Sequence, residues 1–224
     1  MRLTEPDSIL RQWPQTERPT YRAIQCGAKS LSDAELVAVL LRTGTGGQSS
    51  LDMARQMIQE GGSLSAAVTK ATGLPNERTA RLAASLELAR RVLREDLSTR
   101  SALTSPQSVR DYLRLALGGR EHEVFVALFL DAQHRVISAD ELFRGTLTQT
   151  SVYPREIVKA ALKANAAAVI FAHNHPSGVA EPSQADELLT RQLKDALAMV
   201  DVKVLDHFIV AGRATLSFAE RGLL

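Results

Sequence analysis

The chain has 224 residues, which is enough for one large domain or two small ones. Hydrophobic residues make up 45% and charged residues 23% of it, and this composition excludes a disordered protein and a fibrous repeat. The net charge of +2 is a mild basic bias, which permits contact with nucleic acid but does not require it.

The N-terminal region, residues 1–98, is predicted to be helical, with no convincing strand. Ser32–Glu35 has the pattern of a capping box and therefore starts a helix. Ser50 is the candidate N-cap of the next helix, which a pair of glycines ends. A short helical segment follows at Leu64–Lys70, and the apolar spacing predicts a long helix over Glu77–Asp96.

Residues 73–80 follow the pattern of a helix-hairpin-helix motif, which presents backbone N–H groups to a nucleic-acid phosphate. Pro75 stands where the motif has its second glycine, and a proline removes one of those N–H donors. Two interpretations stay open for this region: contact with DNA, or a role in packing and docking only. The long helix carries the candidate contacts to a DNA backbone: Arg78, Arg81, Arg90, Arg91 and Arg94.

Residues 99–224 have the pattern of a layered α/β domain, entered through a segment rich in Ser, Thr and Pro. Strands are recognised by short apolar runs rich in β-branched and aromatic residues, and helices by apolar residues three and four apart. The predicted elements are a helix at 108–117, strands at 124–130 and 135–139, a helix at 154–165, a strand at 167–172, a helix at 183–199, and strands at 202–210 and 214–218.

Two of the five histidines, His173 and His175, directly follow an apolar strand. If that strand continued through both, their side chains would lie on one side, because side chains alternate with a period of two. Asp186 comes eleven residues later in the first turn of a helix, so two imidazoles and a carboxylate form a candidate zinc set with its fourth position open to water. The alternative is a pair of surface histidines and a purely structural capping box at Ser183–Asp186.

The spacing from His173 and His175 to Ser183 and Asp186 resembles the motif of the JAMM (MPN+) metalloproteases. The wider chain is similar to the bacterial RadC family (UPF0758). This resemblance rests on seven segments: Glu123–Phe125, Phe129–Asp131, Leu142–Thr146, Tyr153–Ile157, Ala172–Gly178, Pro182–Ser183 and Leu205–His207.

The fold implied by the resemblance is a two-domain α+β protein. An all-α, helix-hairpin-helix-like domain would span residues 1–98. An α/β/α MPN domain of the JAMM type, similar to cytidine deaminases and built on a curved mixed sheet, would span residues 99–224.

The resemblance also implies a zinc site and its chemistry. His173, His175 and Asp186 match the family's Zn2+ ligands, and Ser183 matches a serine whose hydroxyl helps to hold the oxyanion. The implied activity is hydrolysis of an amide or isopeptide bond in a protein or peptide. The alternative, from another class, is a DNA-binding accessory protein of repair or recombination whose metal site is structural or vestigial.

The resemblance further implies an upstream glutamate that accepts a proton, and Glu123 is the candidate because it opens the first central strand. The rival interpretation is that Glu123 is a solvent-exposed carboxylate at the end of the sheet, with no catalytic role. Glu121, two residues earlier, is the next candidate, and Glu141 and Glu156 rank below both. His207 is either a contact near the zinc or a buried, hydrogen-bonded structural histidine.

The compartment follows from what the sequence lacks. Its longest apolar runs, such as Val124–Leu130, are far shorter than the roughly 20 residues that cross a bilayer. The first residues contain no apolar segment typical of a secretory signal. Cys26 is single, which excludes an intramolecular disulfide. We therefore expect a cytoplasmic protein with no membrane partner, in which Cys26 is a small buried residue.

Overall fold

The computed structural model describes the chain in four stretches: residues 9–72, 76–102, 106–145 and 152–224. Two compact units divide the chain, Met1–Leu88 and Ala89–Leu224. This division falls inside a long helix, and the domain boundary after residue 98 stays a prediction. Among the described residues, none of the helices is both long enough and apolar enough to cross a membrane.

The first unit is built from helices, as predicted, and its described residues contain no strand beyond one isolated bridge between Thr45 and Gln48. Its core is formed by apolar residues from several helices, including Leu41, Leu51 and Leu82. The α-helices are α1 Pro19–Cys26, α2 Asp33–Leu41, α3 Ser50–Gly61, α4 Leu64–Thr72 and α5 Glu77–Thr99, the last of which has residues in both units.

Side-chain caps set the start of α2 and of α3. Ser32 accepts the N–H of Glu35 while the Glu35 carboxylate accepts the N–H of Ser32, so the predicted capping box is confirmed. The prediction of Ser50 as the cap of α3 was wrong by one residue. Ser49 is the cap, because only Ser49 has a carboxylate three residues later, on Asp52, that returns the hydrogen bond.

Cys26 is exposed, which contradicts its prediction as a buried residue. It is the last residue of α1, and the next residue, Gly27, turns the chain away with a φ of 80°. The end of a helix before such a turn has few neighbours to cover it, so a small apolar side chain there stays in solvent.

Arginines near the start of α5 bind backbone carbonyl groups of the same unit. The Arg81 guanidinium donates to the carbonyl oxygens of Leu40 and Leu41, at 2.8 and 2.7 Å. Arg78 donates to the carbonyl oxygen of Gly44 at 3.0 Å. These carbonyls belong to the last turn of α2 and the loop after it, where no helical N–H group is left to pair with them. Both side chains therefore have a structural role.

Contact of the N-terminal region with DNA stays a prediction. The hairpin residues 73–75 lie outside the described residues. Arg90 donates to the carbonyl oxygen of Leu115, at 3.2 and 3.1 Å, whereas Arg91 and Arg94 are exposed on α5.

Replacing Arg81 with alanine should lower the free energy of unfolding by roughly 1.5–3 kcal/mol, the usual value of hydrogen bonds that involve a charged group. In this variant the carbonyl group of Leu40 loses its Arg81 donor, and the carbonyl group of Leu41 keeps only the N–H of Thr43, at 2.8 Å. Urea denaturation measures the effect, and Arg94→Ala, at an exposed position of the same helix, is the matched control. Equal stability of the two variants would contradict the structural role of Arg81.

The second unit is an α/β domain around an open, mixed sheet of five strands in the order β2-β1-β3-β4-β5, which confirms the predicted fold class. Strands β3 and β4 are parallel and the other neighbours are antiparallel. The elements are α6 Pro106–Leu117, β1 Val124–Leu130, β2 Val136–Arg144, α7 Pro154–Lys163, β3 Ala168–Asn174, α8 Gln184–Ala198, β4 Lys203–Ala211, β5 Ala214–Ser217 and α9 Phe218–Arg221.

Helices cover both faces of the central strands, which explains why β1 is buried along its whole length. Alternate residues of β1 belong to two different cores. Val126 packs in one core with Leu113 of α6, whereas Phe125 packs in the other with Ile157 of α7 and Leu193 of α8. The candidate site lies on this second face, at the end of β3.

Candidate metal centre

Strand β3 places the two histidines of the motif. It extends to Asn174, two residues beyond its predicted end, because β1 and β4 pair with it on both sides. His173 lies opposite Phe125 of β1, and the N–H of His175 donates to the carbonyl oxygen of Val210 at 2.9 Å. The Nε2 atoms of His173 and His175 are 2.9 Å apart. The two imidazoles are therefore on one side of the strand, as the spacing predicts.

The start of α8 places the carboxylate. Asp186 is held in a capping box, in which its Oδ2 atom accepts hydrogen bonds from the N–H and the hydroxyl of Ser183, at 2.8 and 2.7 Å. Its Oδ1 atom lies 3.4 Å from Nε2 of His173, and Oδ2 lies 3.5 Å from Nε2 of His175. Asp186 is therefore part of the capping box of α8, and the same carboxylate also lies beside the two histidines.

The donor atoms of His173, His175 and Asp186 all lie within 4.8 Å of one another. His175 Nδ1 lies 2.9 Å from the carbonyl oxygen of Val179 and must donate to it, so Nε2 is the atom that His175 directs at this group. Two imidazoles and a carboxylate with one further position open match the ligand set of a catalytic zinc. The residues therefore fit a divalent metal ion.

The electrostatics also suit a metal. Burial lowers the pKa of His173 to about 4, against the attraction of Asp186, so this imidazole is neutral at pH 7. Burial opposes ionisation of Asp186, but hydrogen bonds from His175 and Ser183, and in acid the charge of protonated His173, hold its pKa well below the ordinary range. The hydrogen bond with Asp186 raises the pKa of His175, against the effect of burial. A metal would therefore compete with a proton chiefly at His175.

Glu123 lies next to this group. It precedes β1, and the antiparallel register that pairs Phe125 with His173 brings Glu123 level with His175. Its side chain is half-buried, and its charge helps to raise the pKa of His175. The position agrees with that of a proton acceptor, while the role stays a prediction.

The other candidate glutamates have different surroundings. Glu121 is exposed. Glu141 accepts a hydrogen bond from Arg120 at 2.6 Å, and Glu156 is paired with Lys159 at 3.0 Å. Such ion pairs are common on solvent-exposed surfaces. Glu123 therefore remains the first candidate for the proton acceptor, ahead of Glu121, Glu141 and Glu156.

Ser183 is the N-cap of α8, and its hydroxyl proton is directed at the carboxylate of Asp186. The hydroxyl oxygen in turn accepts the N–H of Asp186 at 3.2 Å. The serine therefore orients a candidate ligand in this structure, and its role toward an oxyanion stays a prediction.

Comparison with known proteins places this geometry in a family. The model of the RadC-like JAB domain matches residues 103–223, and the model of the UPF0758 N-terminal region matches residues 10–74. The chain belongs to the RadC (UPF0758) family. Every candidate residue of the metal centre lies in the RadC-like JAB domain, and the predicted family is thereby confirmed.

Relatives named UPF0758 proteins match almost the whole chain. A UPF0758 protein of Nitrosomonas eutropha is 58% identical over 222 residues, covering 96% of this chain and 99% of the relative. A UPF0758 protein of Dechloromonas aromatica is 58% identical over 224 residues, with the same coverage. A third, from Thiobacillus denitrificans, is 57% identical over 222 residues.

Asn174 and Thr190 form hydrogen bonds next to the candidate site, and the sequence analysis did not select either residue. The Asn174 side chain accepts the N–H of Val124 at 2.8 Å and donates to the carbonyl oxygen of His122 at 3.0 Å, which ties the segment around Glu123 to β3. Thr190 lies one turn after Asp186 on α8, and this i, i+4 spacing was the available signal for it.

His207 meets both interpretations made from the sequence. It is fully buried on β4, and its Nε2 atom lies 2.9 Å from Nδ1 of His173. The side chain is thus a buried, hydrogen-bonded histidine that also contacts a candidate ligand.

Proposed function

We propose that this chain is a zinc-dependent hydrolase of the JAMM type, which cleaves an amide or isopeptide bond in a protein or peptide. The proposal rests on the meeting of His173, His175 and Asp186 within 4.8 Å, beside the half-buried carboxylate of Glu123. The match to the RadC-like JAB domain supports the same chemical class.

The composition of the site favours a catalytic metal over a structural one. Structural zinc sites are closed by four protein ligands, whereas catalytic sites leave one position to water or substrate. Among the described residues the donor group has three members, and two of them, His175 and Asp186, are partly exposed to solvent. A substrate therefore has access to the open side of the group.

The residues of the chain divide the remaining work. When bound, the zinc ion contributes Lewis acidity at the scissile carbonyl group. Glu123 takes the proton of the attacking water and passes it to the leaving nitrogen. The Ser183 hydroxyl donates a hydrogen bond to the carboxylate of Asp186 in this structure. During the reaction it turns to donate that hydrogen bond to the developing oxyanion instead.

The alternative, a DNA-binding accessory protein, has less support from the described residues. Arg78 and Arg81, two of the candidate phosphate contacts, are hydrogen-bonded to backbone carbonyl groups of their own unit. The presence of Glu123 and Ser183 beside the three candidate ligands also favours the hydrolase, because a purely structural metal site needs neither residue.

A panel of reporters tests the proposed activity. The zinc-loaded chain should cleave a peptide or an isopeptide-linked reporter and leave single- and double-stranded DNA intact. A chelator should abolish the cleavage and added zinc should restore it, because the reaction needs the metal. Cleavage that survives the chelator, or cleavage of no amide reporter, would contradict the proposal. In the second case, DNA binding that weakens steeply with salt would favour the accessory-protein alternative.

A further inference from the structure

A line of buried hydrogen bonds runs behind the candidate metal centre, through residues to which the proposed chemistry gives no role. The Thr190 hydroxyl donates to the backbone carbonyl oxygen of Asp186 at 2.6 Å, and the same Oγ1 atom lies 2.6 Å from Nδ1 of His207. His207 Nε2 lies 2.9 Å from Nδ1 of His173. Thr190 and His173 are each 1% exposed and His207 is 0% exposed, so water does not compete for these bonds.

The carbonyl oxygen of Asp186 determines which atom carries the proton in each of these hydrogen bonds. A carbonyl oxygen only accepts, so the single hydroxyl proton of Thr190 lies on the bond to Asp186. The Thr190 oxygen must then accept at its other contact, and His207 carries its proton on Nδ1. Both ring nitrogens of His207 are hydrogen-bonded, to Thr190 and to His173, and neither partner is a carboxylate. A charged ring would be buried here without a counter-ion, so the ring is neutral and has one N–H only. Its Nε2 atom is therefore an acceptor.

The order continues to the candidate ligand. Since His207 Nε2 accepts, Nδ1 of His173 must donate to it, and His173 Nε2 keeps its lone pair. That lone pair is directed at His175 and Asp186, and in the metal-free chain the proton of the 2.9 Å contact between the two Nε2 atoms is on His175. The opposite order would put a proton on His173 Nε2 and take the Thr190 proton to His207. Two oxygens, of Thr190 and Asp186, would then lie 2.6 Å apart with no proton between them, which is unfavourable.

We propose that Thr190 and His207 are positioning residues that hold His173 as the tautomer with its proton on Nδ1, so that Nε2 is ready to bind the metal. The line begins at the backbone of Asp186 and ends at the ring of His173, and it therefore links two of the candidate ligands. This inference rests on the proposed metal site. Hydrogen-bond partners of this kind orient metal-binding histidines and are worth about 10–100-fold in metal affinity.

Three variants test the role of the Thr190 hydroxyl. Thr190→Val keeps the shape of the side chain but removes the acceptor for His207, so His207 can move its proton to Nε2 and force His173 to the wrong tautomer. Thr190→Ser keeps the hydroxyl and should rescue the effect. Thr79→Val removes another buried threonine hydroxyl, one that bonds to Asn76 outside the site, and controls for loss of stability.

The readout is the ¹⁵N NMR spectrum of the histidine rings in the metal-free chain, together with zinc affinity from competition with a chromophoric chelator. In the wild type we expect protons on Nδ1 of both His173 and His207. Thr190→Val should move the His173 proton to Nε2 and weaken zinc binding by about 10–100-fold, whereas Thr190→Ser and Thr79→Val should leave both unchanged.

The outcomes separate this inference from the proposed function. A proton on Nε2 of His173 in the wild type would overturn the inference, whatever the activity of the protein. Zinc binding by Thr190→Val that is as tight as that of the wild type would also overturn the inference. A chain that shows the expected tautomers and binds zinc, yet cleaves no reporter, would contradict the proposed hydrolase and leave the role of Thr190 and His207 supported.

Discussion

Glu123→Gln is expected to lower the hydrolysis of a verified amide or isopeptide substrate by about 10²–10⁴-fold, the usual contribution of a positioned acid or base, while the chain keeps its zinc. Glutamine preserves the size of the side chain and most of its hydrogen bonding but cannot take up the proton. Glu123 lies beside the donor group of His173, His175 and Asp186 and is not needed to complete it. The measurement is kcat/KM and zinc content of the same preparation.

Glu141→Gln is the matched control for this prediction, because Glu141 is a partly exposed glutamate paired with Arg120 at 2.6 Å. It should keep both zinc and activity. If Glu123→Gln loses zinc, Glu123 is a ligand and its assigned role is wrong. If the variant cleaves the substrate at the wild-type rate, the proton acceptor lies elsewhere, and Glu121 is the next residue to replace.

Asp186→Ala should abolish zinc binding and hydrolysis together, so that no zinc survives dialysis and no cleavage is detected. The variant removes the only carboxylate of the donor group. Elemental analysis after dialysis measures the first loss and the reporter assay measures the second. Zinc content equal to that of the wild type would show that Asp186 is not a ligand.

A loss of zinc in this variant must be separated from a loss of folding, because Asp186 is also part of the capping box of α8. Ser183→Ala removes the cap but leaves the carboxylate, at a cost of about 0.5–2 kcal/mol in the free energy of unfolding. This variant should retain zinc. If Ser183→Ala loses as much zinc as Asp186→Ala, the integrity of the helix start explains both results.

Much of the site followed from local spacing. Two histidines separated by one residue share a side of an extended chain, and the pairing continues through His175, one residue beyond β3, where its N–H donates to Val210. A carboxylate in the first turn of the next helix completes the candidate set. The structure confirms this arrangement for His173, His175 and Asp186. The fold class could also be predicted from local patterns. The spacing of apolar residues indicates helices in the first half of the chain and alternating strands and helices in the second.

What the sequence did not predict depends on pairing between distant segments. The apolar run ends at Ala172, yet β3 continues to Asn174 because β1 and β4 extend its hydrogen bonding. His207 meets His173 only because β3 and β4 are adjacent and parallel, which no local pattern reveals. Likewise, Arg81 has the character of a phosphate contact in sequence, and its bonds to the end of α2 come from helix packing.

A zinc titration of the metal-free chain tests the central claim most directly. Hydrolysis of the verified reporter is followed while zinc is added to the wild type and, as the control, to Asp186→Ala. We predict that activity rises in proportion to added zinc, stops rising at about one ion per chain, as expected for a single three-ligand site, and stays at background in Asp186→Ala. Activity that is independent of zinc, or that rises equally in both proteins, would contradict a catalytic metal held by His173, His175 and Asp186.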